Sequence, residues 1–350
     1  MSTVLASPQM TPSMNRSKGV WAAAAARFST DRVGQTSLVI VVLFLLLVLA
    51  SSVGLVAKDW QIERGVPDAP PTFMGAAAKT EGVVAAAPSG PNVDISAVDP
   101  LAPRYAEWAE AAKKYQTTES VKADTLPFGG DRLGRDVLAK AIKGAQVSIL
   151  VGVSAAVLAT LIGTLLGAVA GFFGGKVGDL LEWVYNVFTA IPGILLIFAF
   201  AAVFGRGIGS VVLILGLAGW TGIYRLVRAE FIKHANRDYV RSAEAIGASN
   251  ASRMFKHILP NVSHVVLVQL SIHVVGFIKS EVILSYLGLG VGVDQVSWGT
   301  MLSEAQSELI LGHWWQLAAA TIFMAVFVTA FSLMTDALRD ALDPKLRGLE

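Results

Sequence analysis

Cysteine is absent from all 350 residues. Disulfides, thiol nucleophiles and Cys-ligated metals are thereby excluded, and the fold must be held by packing alone. Charge is also scarce, at 15% of residues against 54% hydrophobic, with a mean hydropathy of +0.58. That balance is too apolar for a soluble domain and too polar for membrane spans alone. It predicts a polytopic membrane protein with sizeable loops. A formal net charge of +2 is too small to point to nucleic acid. A phosphate-cradling loop is missing as well: around Gly175 and Lys176 its flanking positions hold Ala170 and Val177, where the cradle needs Gly and Ser or Thr. The histidines, His234, His257, His264, His273 and His313, show no paired ligand spacing with carboxylates, so neither a bound metal nor a catalytic centre is expected.

What the chain has is apolar runs. Residues 1–36 are polar and carry Arg16, Lys18, Arg27 and Arg32 before the run Ser37 to Ala57, which is long enough to span a bilayer. A cleaved signal sequence is the competing reading; the length of the run and the lack of a small-residue cleavage pattern favour a retained span. Basic residues ahead of it place the N-terminus in the cytoplasm. Residues 58–145 then form an extracytoplasmic insert with a Pro/Ala/Gly-rich stretch, Val66 to Pro91, read as flexible, and a short surface helix within Asp99 to Lys114. Five further runs follow within 146–340: Ser148 to Phe172, Val184 to Phe204, Ser210 to Leu226, Val262 to Leu289 and Trp315 to Asp336. The expected fold class is an all-α membrane protein with six transmembrane helices, both termini cytoplasmic and the tail at 341–350.

Inside the second span Gly163, Gly167 and Gly171 recur every four residues with Gly152 on a neighbouring line, leaving a helix stripe without side chains where another helix can approach. Packing within the subunit is the plain reading, and a contact lining a pathway the sharper one. Pro192 inside the third span is expected to kink it. Trp298, Trp314 and Trp315 read as aromatic anchors near the outer interface. The glycosylation-type triplets at Asn250 and Asn261 fall on the cytoplasmic side and are accidental.

The loop 225–261 concentrates Arg225, Arg228, Lys233, Arg237, Arg241, Arg253 and Lys256 against Glu230, Asp238 and Glu244, as a cytoplasmic loop should. It reads as helix, turn, helix. One helix runs to Ile246 and is closed by Gly247 in a left-handed cap; Ser249 caps a second, which should end near Pro260. Such a loop makes a rigid knob on the membrane surface.

At this point the chain resembles the membrane subunits of ATP-binding-cassette importers, in the dipeptide/oligopeptide branch. That branch carries in this loop Glu-Ala-Ala, three residues, Gly, and then Ile-x-Leu-Pro. Aligned on Gly247, the first positions are Arg241, Ser242 and Ala243, and the last are His257, Ile258, Leu259 and Pro260. The family's acid is thus replaced by Arg241, with Glu244 close enough to serve in its place. Four more blocks resemble the branch in order: Phe128-Gly-Gly-Asp-Arg-Leu-Gly-Arg-Asp-Val-Leu (with Gly130 where Thr is usual), Glu281-Val-Ile-Leu-Ser-Tyr-Leu-Gly-Leu-Gly, Trp298-Gly-Thr-Met-Leu and Leu338-Arg-Asp-Ala-Leu-Asp-Pro. The insert is longer than the family usually carries.

The resemblance implies a permease in a bacterial inner membrane. It implies as partners a second homologous permease, two ATPase subunits that hold ATP and magnesium, and an extracytoplasmic solute-binding protein, with no cofactor on this chain. Arg241, Ser242, Ala243, Glu244, Gly247, Ala248, Ser249, Leu259 and Pro260 would form the ATPase-docking site. Lys279 and Glu281 are candidate pathway residues, since charge within a span needs a partner or water; Glu281 matches the branch's usual acid and could equally brace a helix terminus. Two positions apart, they do not share a helix face. Dipeptides or short oligopeptides are the first-choice solutes, with nickel complexes and oligosaccharides open. An ion-coupled carrier is the competing class; it would explain the two charges but predicts repeated halves, which the sequence lacks. A membrane scaffold is favoured only by the insert.

Overall fold

The computed structural model describes residues 25–76, 99–113 and 122–342. Arg16 and Lys18, most of the Ala-rich part of the insert, Lys114 and the tail with Lys345 and Arg347 lie outside these residues. The elements are α1 (Arg32–Ser52), α2 (Tyr105–Lys113), α3 (Val137–Phe173), α4 (Gly175–Ala190), α5 (Gly193–Phe204), α6 (Ile208–Ala235), α7 (Asp238–Ala245), α8 (Asn250–Tyr286, including a π-helical turn at Arg253–Ile258), α9 (Trp298–Ile310) and α10 (Trp315–Leu342). Among the described residues no strand forms, only isolated β-bridges.

Helices α1, α3, α6, α8 and α10 are each long and apolar enough to cross a membrane. The third predicted span departs from expectation. Pro192 does not kink it but breaks it, with α4 and α5 meeting at 91°. The cause is local: the residue before a proline is pushed out of the helical region, and Ile191 is extended at φ −92°, ψ 130°. Contacts at both ends show what the bent pair achieves. Gly171 at the end of α3 lies against Arg228 and Phe231 of α6, whereas the Gly207 N–H, just ahead of α6, reaches the Gly290 carbonyl beyond α8 at 3.1 Å. The chain therefore passes from one face of the helical body to the other between Gly174 and Gly207, and the bent pair supplies the sixth crossing.

Helix α3 is the hub. A Cβ on Gly163, Gly167 or Gly171 would lie 2.5, 2.7 or 2.6 Å from the carbonyl oxygens of Trp220, Tyr224 and Arg228, and Gly152 abuts Ile278 of α8. The glycine stripe is thus packing within the subunit, bringing the backbones of α3 and α6 into contact along three turns. Phe28, Leu338, Ala341 and Leu342 cluster where α1 begins and α10 ends, so those two ends share a face with the α6–α8 connection.

On the opposite face part of the insert is ordered, contrary to the reading of Val66 onward as flexible. Residues 63–71 form bridges with 123–135, and Ala69 is fully buried. Beneath them lies an ionic network: the buried Lys140 ammonium donates to Asp131 Oδ2 (2.7 Å), Glu304 Oε2 (2.5 Å) and Gln316 Oε1 (3.1 Å). Burial pushes the Asp131 carboxyl upward, but Lys140 and Arg135 prevail and hold it below the usual carboxylate range. Trp298 and Trp315 are not interface anchors: both are buried, their indole N–H groups donating to the Ala141 and Gly130 carbonyls at 3.2 and 2.6 Å. A buried indole must find an acceptor, and the motif loop before α3 provides one at Gly130 while the start of α3 itself provides the other at Ala141. Of the three tryptophans, only Trp314 is partly exposed.

Two outcomes follow. Gly167→Leu drives a side chain into the Tyr224 carbonyl and should destabilise the protein by about 3 kcal/mol or more, whereas Gly276→Ala, with open space around it, should not; thermal unfolding of the detergent-solubilised protein reads both. Glu308 is 1% exposed, and burial first, then Asp131 and Asp68, raise its pKa from 4.5 to about 7 against the opposing pull of Lys140 and the Arg132 N–H. The folded state therefore keeps a proton that the unfolded chain releases, and stability falls as pH rises from 4.5 to 7. Glu308→Gln should flatten that slope, worth about 3 kcal/mol, and unfold at higher temperature than the parent above neutral pH.

Candidate functional site

The α6–α8 connection folds as two short helical arms on a packed base. The first departs from expectation: it is not one helix to Ile246, because α6 ends at Ala235 and α7 starts afresh at Asp238. Val240 of α7 is buried with Phe231 of α6 and Met254, Ile258 and Val262 of α8, and Ala243, one turn further along α7, is buried as well. This apolar base reaches Ala168 of α3, so the knob stands on the same helix pair that the glycine stripe clamps.

The turn forms as its residues dictate. Gly247 has φ +88°, and the Ala248 N–H reaches back to the Ala243 carbonyl at 3.0 Å, closing α7 in a Schellman-type cap. The Ser249 hydroxyl accepts the Ser252 N–H at 3.3 Å and caps α8. Across the turn Arg253 pairs with Glu244 at 2.6 Å and lies over the Phe172 ring at 5.3 Å, tying the arm to the end of α3.

Beyond the turn the expected second stop is absent. Pro260 does not end a helix; α8, 37 residues long from Asn250, continues through it to Tyr286. A proline removes one backbone donor and crowds the carbonyl four residues earlier. The chain accommodates it by widening just ahead: the Leu259 N–H bonds to Met254 O, five residues back, at the end of the π turn. The predicted docking residues consequently divide. Arg241, Ser242, Glu244, Gly247 and Ser249 are exposed on the arm and turn with Ala248 half-buried beside them, Ala243 is buried, and Leu259 and Pro260 belong to α8, Leu259 packed against the base. Ile246, 86% exposed at the tip, was missed; an apolar residue immediately before the capping glycine was the available signal.

The two candidate pathway residues separate as well. Lys279 is exposed on α8, while Glu281 is wholly buried, accepting the Ser148 hydroxyl at 2.6 Å and the Ser285 hydroxyl at 2.7 Å. Ser148 Oγ in turn accepts the Trp298 N–H at 3.3 Å. Glu281 joins α3, α8 and, through Ser148, the start of α9, and does not line an open surface.

Comparison with known proteins decides the family. Residues 163–348 match the binding-protein-dependent transport system inner membrane component family. The chain belongs to this family. The permease is 37% identical to the oligopeptide transport system permease protein OppC of Bacillus subtilis (strain 168), over 67% of this chain and 78% of that one. It is 36% identical to the dipeptide transport system permease protein DppC of the same organism, over 63% and 69% of the two chains. It is 38% identical to the glutathione transport system permease protein GsiD of Escherichia coli O157:H7, over 63% and 73%. The matched region holds the hairpin, α8 and α10.

Within the permease the cap is testable on its own. A Cβ on Gly247 would meet nothing within 4 Å, so the cost of a side chain there is purely conformational. Gly247→Val should loosen the arm by roughly 1–2 kcal/mol and Gly247→Asn by less; hydrogen exchange of the amides from Tyr239 to Ser252 measures the difference.

Proposed function

We propose that this permease is one half of the membrane channel of an ATP-driven, binding-protein-dependent importer of dipeptides or short oligopeptides in a bacterial inner membrane. The observation that carries the reading is the hairpin: a short arm locked by a glycine cap and an ion pair, tipped by the exposed Ile246 and continuous with the long helix α8. Mechanical input needs such a part. An apolar side chain held out at a rigid tip suits a groove on a partner, and movement of that partner would be carried along α8.

In this reading the partner is one of two ATPase subunits, which hold ATP and magnesium and do the hydrolysis. Arg241, Ser242, Glu244, Ile246, Gly247, Ala248 and Ser249 meet it, with Ala243 buried in the arm. The basic excess of the hairpin supports a cytoplasmic position for it; in this reading both termini lie on that side and the ordered insert outside, where a solute-binding protein delivers its cargo. A second, homologous permease completes the channel. The peptide assignment is supported by the relatives, whose solutes are named as oligopeptides, dipeptides and glutathione.

Vesicles holding both permeases, the ATPases and the binding protein should accumulate labelled dipeptide only with ATP inside. Ile246→Asp, at an exposed tip, should change stability by no more than about 0.5 kcal/mol yet lower both uptake and ATPase recovery at least tenfold. Accumulation driven by an ion gradient without ATP would sink the importer reading. ATP-driven uptake of a different solute would overturn the peptide assignment.

A further inference from the structure

The exposed sides of the spans are of two kinds. On α1 the exposed positions within the span include Leu38, Val39, Val42, Leu43, Leu46 and Leu49, an apolar face suited to lipid. The groove between α8 and α10 differs. Near the hairpin a cavity of about 370 Å³ between α6, α8 and α10 has Glu230, His264, Gln269 and Arg339 among mainly apolar neighbours; further along α8 and α10 a second, of about 220 Å³, has Lys279, Asp336, Ser271 and Ser332 beside Ile272 and Val275. Lys279 and Asp336 are exposed and, among the described residues, neither forms an ion pair. Asp336 lies near the end of α10, next to Ala337, which packs on Gly34 ahead of the apolar run of α1, but Lys279 lies well within its span, where a charge facing lipid costs about 2.5–3.5 kcal/mol or more. The groove must face water or a charged neighbour.

We propose, building on the importer reading above, that the α8–α10 groove is this chain's wall of the water-filled solute path. Lys279 and Asp336 act in it as a paired transit site for solutes bearing both a carboxylate and an ammonium. The ammonium on α8 attracts the solute's carboxylate, and the carboxylate on α10 attracts its ammonium. The two charges come from different helices, and α8 is the helix that carries the hairpin. Movement of the hairpin would therefore change their separation, and with it the hold on a zwitterion. A dipeptide, with its unlike charges about 7 Å apart when extended, is of the class this arrangement fits.

The absence of cysteine makes a direct test available, because a single introduced thiol is unique in this subunit. In the assembled complex, Lys279→Cys and Asp336→Cys should each react with a water-soluble methanethiosulfonate, while Leu43→Cys on the apolar face should not. Uptake of labelled dipeptide by Lys279→Cys should fall about tenfold. It should recover when an aminoethyl group is attached and stay low with a sulfonatoethyl group. Failure of both groove thiols to react means that the partner permease or lipid covers the groove, and overturns the proposal. Equal recovery with either reagent overturns the charge-based role of Lys279. Reactivity is read without any solute, so a native complex that imports no peptide refutes the function proposed above independently of the groove.

Discussion

The arrangement of this permease depends on the contact between the backbones of α3 and α6. Three glycines on α3 sit over three successive carbonyls of α6, at Trp220, Tyr224 and Arg228, with no side chain between them. In a bilayer, where apolar side chains gain little by leaving lipid, close backbone approach and the dispersion contacts it brings are the main source of helix association. Fixing α6 against α3 also fixes Phe231 one turn further on, and Phe231 belongs to the floor on which Val240 of the hairpin rests. The knob is rigid because the helices beneath it cannot slide.

Rigidity is then carried onward by α8. A helix that stopped at Pro260 would have left a hinge between the hairpin and the spans, and movement of the knob would have been absorbed there. The π turn at Arg253–Ile258 takes up the missing donor without a break, so the arm and the span are one rod. Its far end is held by Glu281, which ties α8 through Ser148 to α3 and to the first peptide of α9. The groove with Lys279 lies along this rod, between the hairpin and Glu281.

The legible parts of this architecture were those set by local chemistry. Gly247 and Ser249 announce their caps, a basic loop announces its side, and a glycine every fourth residue announces a close helix contact. Three things depended on the tertiary fold and were misread. The proline at 192 breaks a span whereas that at 260 does not, because Ile191 is free to extend while the residues before Pro260 are held in the apolar base by Met254 and Ile258. Trp298 and Trp315 look like interface anchors in a linear reading, but their acceptors lie more than a hundred residues away in the chain. The start of the insert looks flexible by composition, yet it is pinned by backbone bonds to residues 123–135 that no local pattern reveals.

The pair Lys279 and Glu281 shows how far a linear reading goes and where geometry takes over. Two positions on a helix are about 200° apart, so the residues could never serve one surface, and the remaining question was which faced inward. A carboxylate is the group better suited to burial among serines, since its oxygens accept the hydroxyl hydrogens that Ser148 and Ser285 supply, and both hydroxyls also accept backbone N–H groups, from Trp298 and Val291. An ammonium at the same place would face hydroxyls already engaged in orienting those amides, with no anion to neutralise it. Glu281 inside and Lys279 outside is therefore the arrangement that satisfies the polar atoms. It leaves α8 with its charge on the open side, facing Asp336 across the groove.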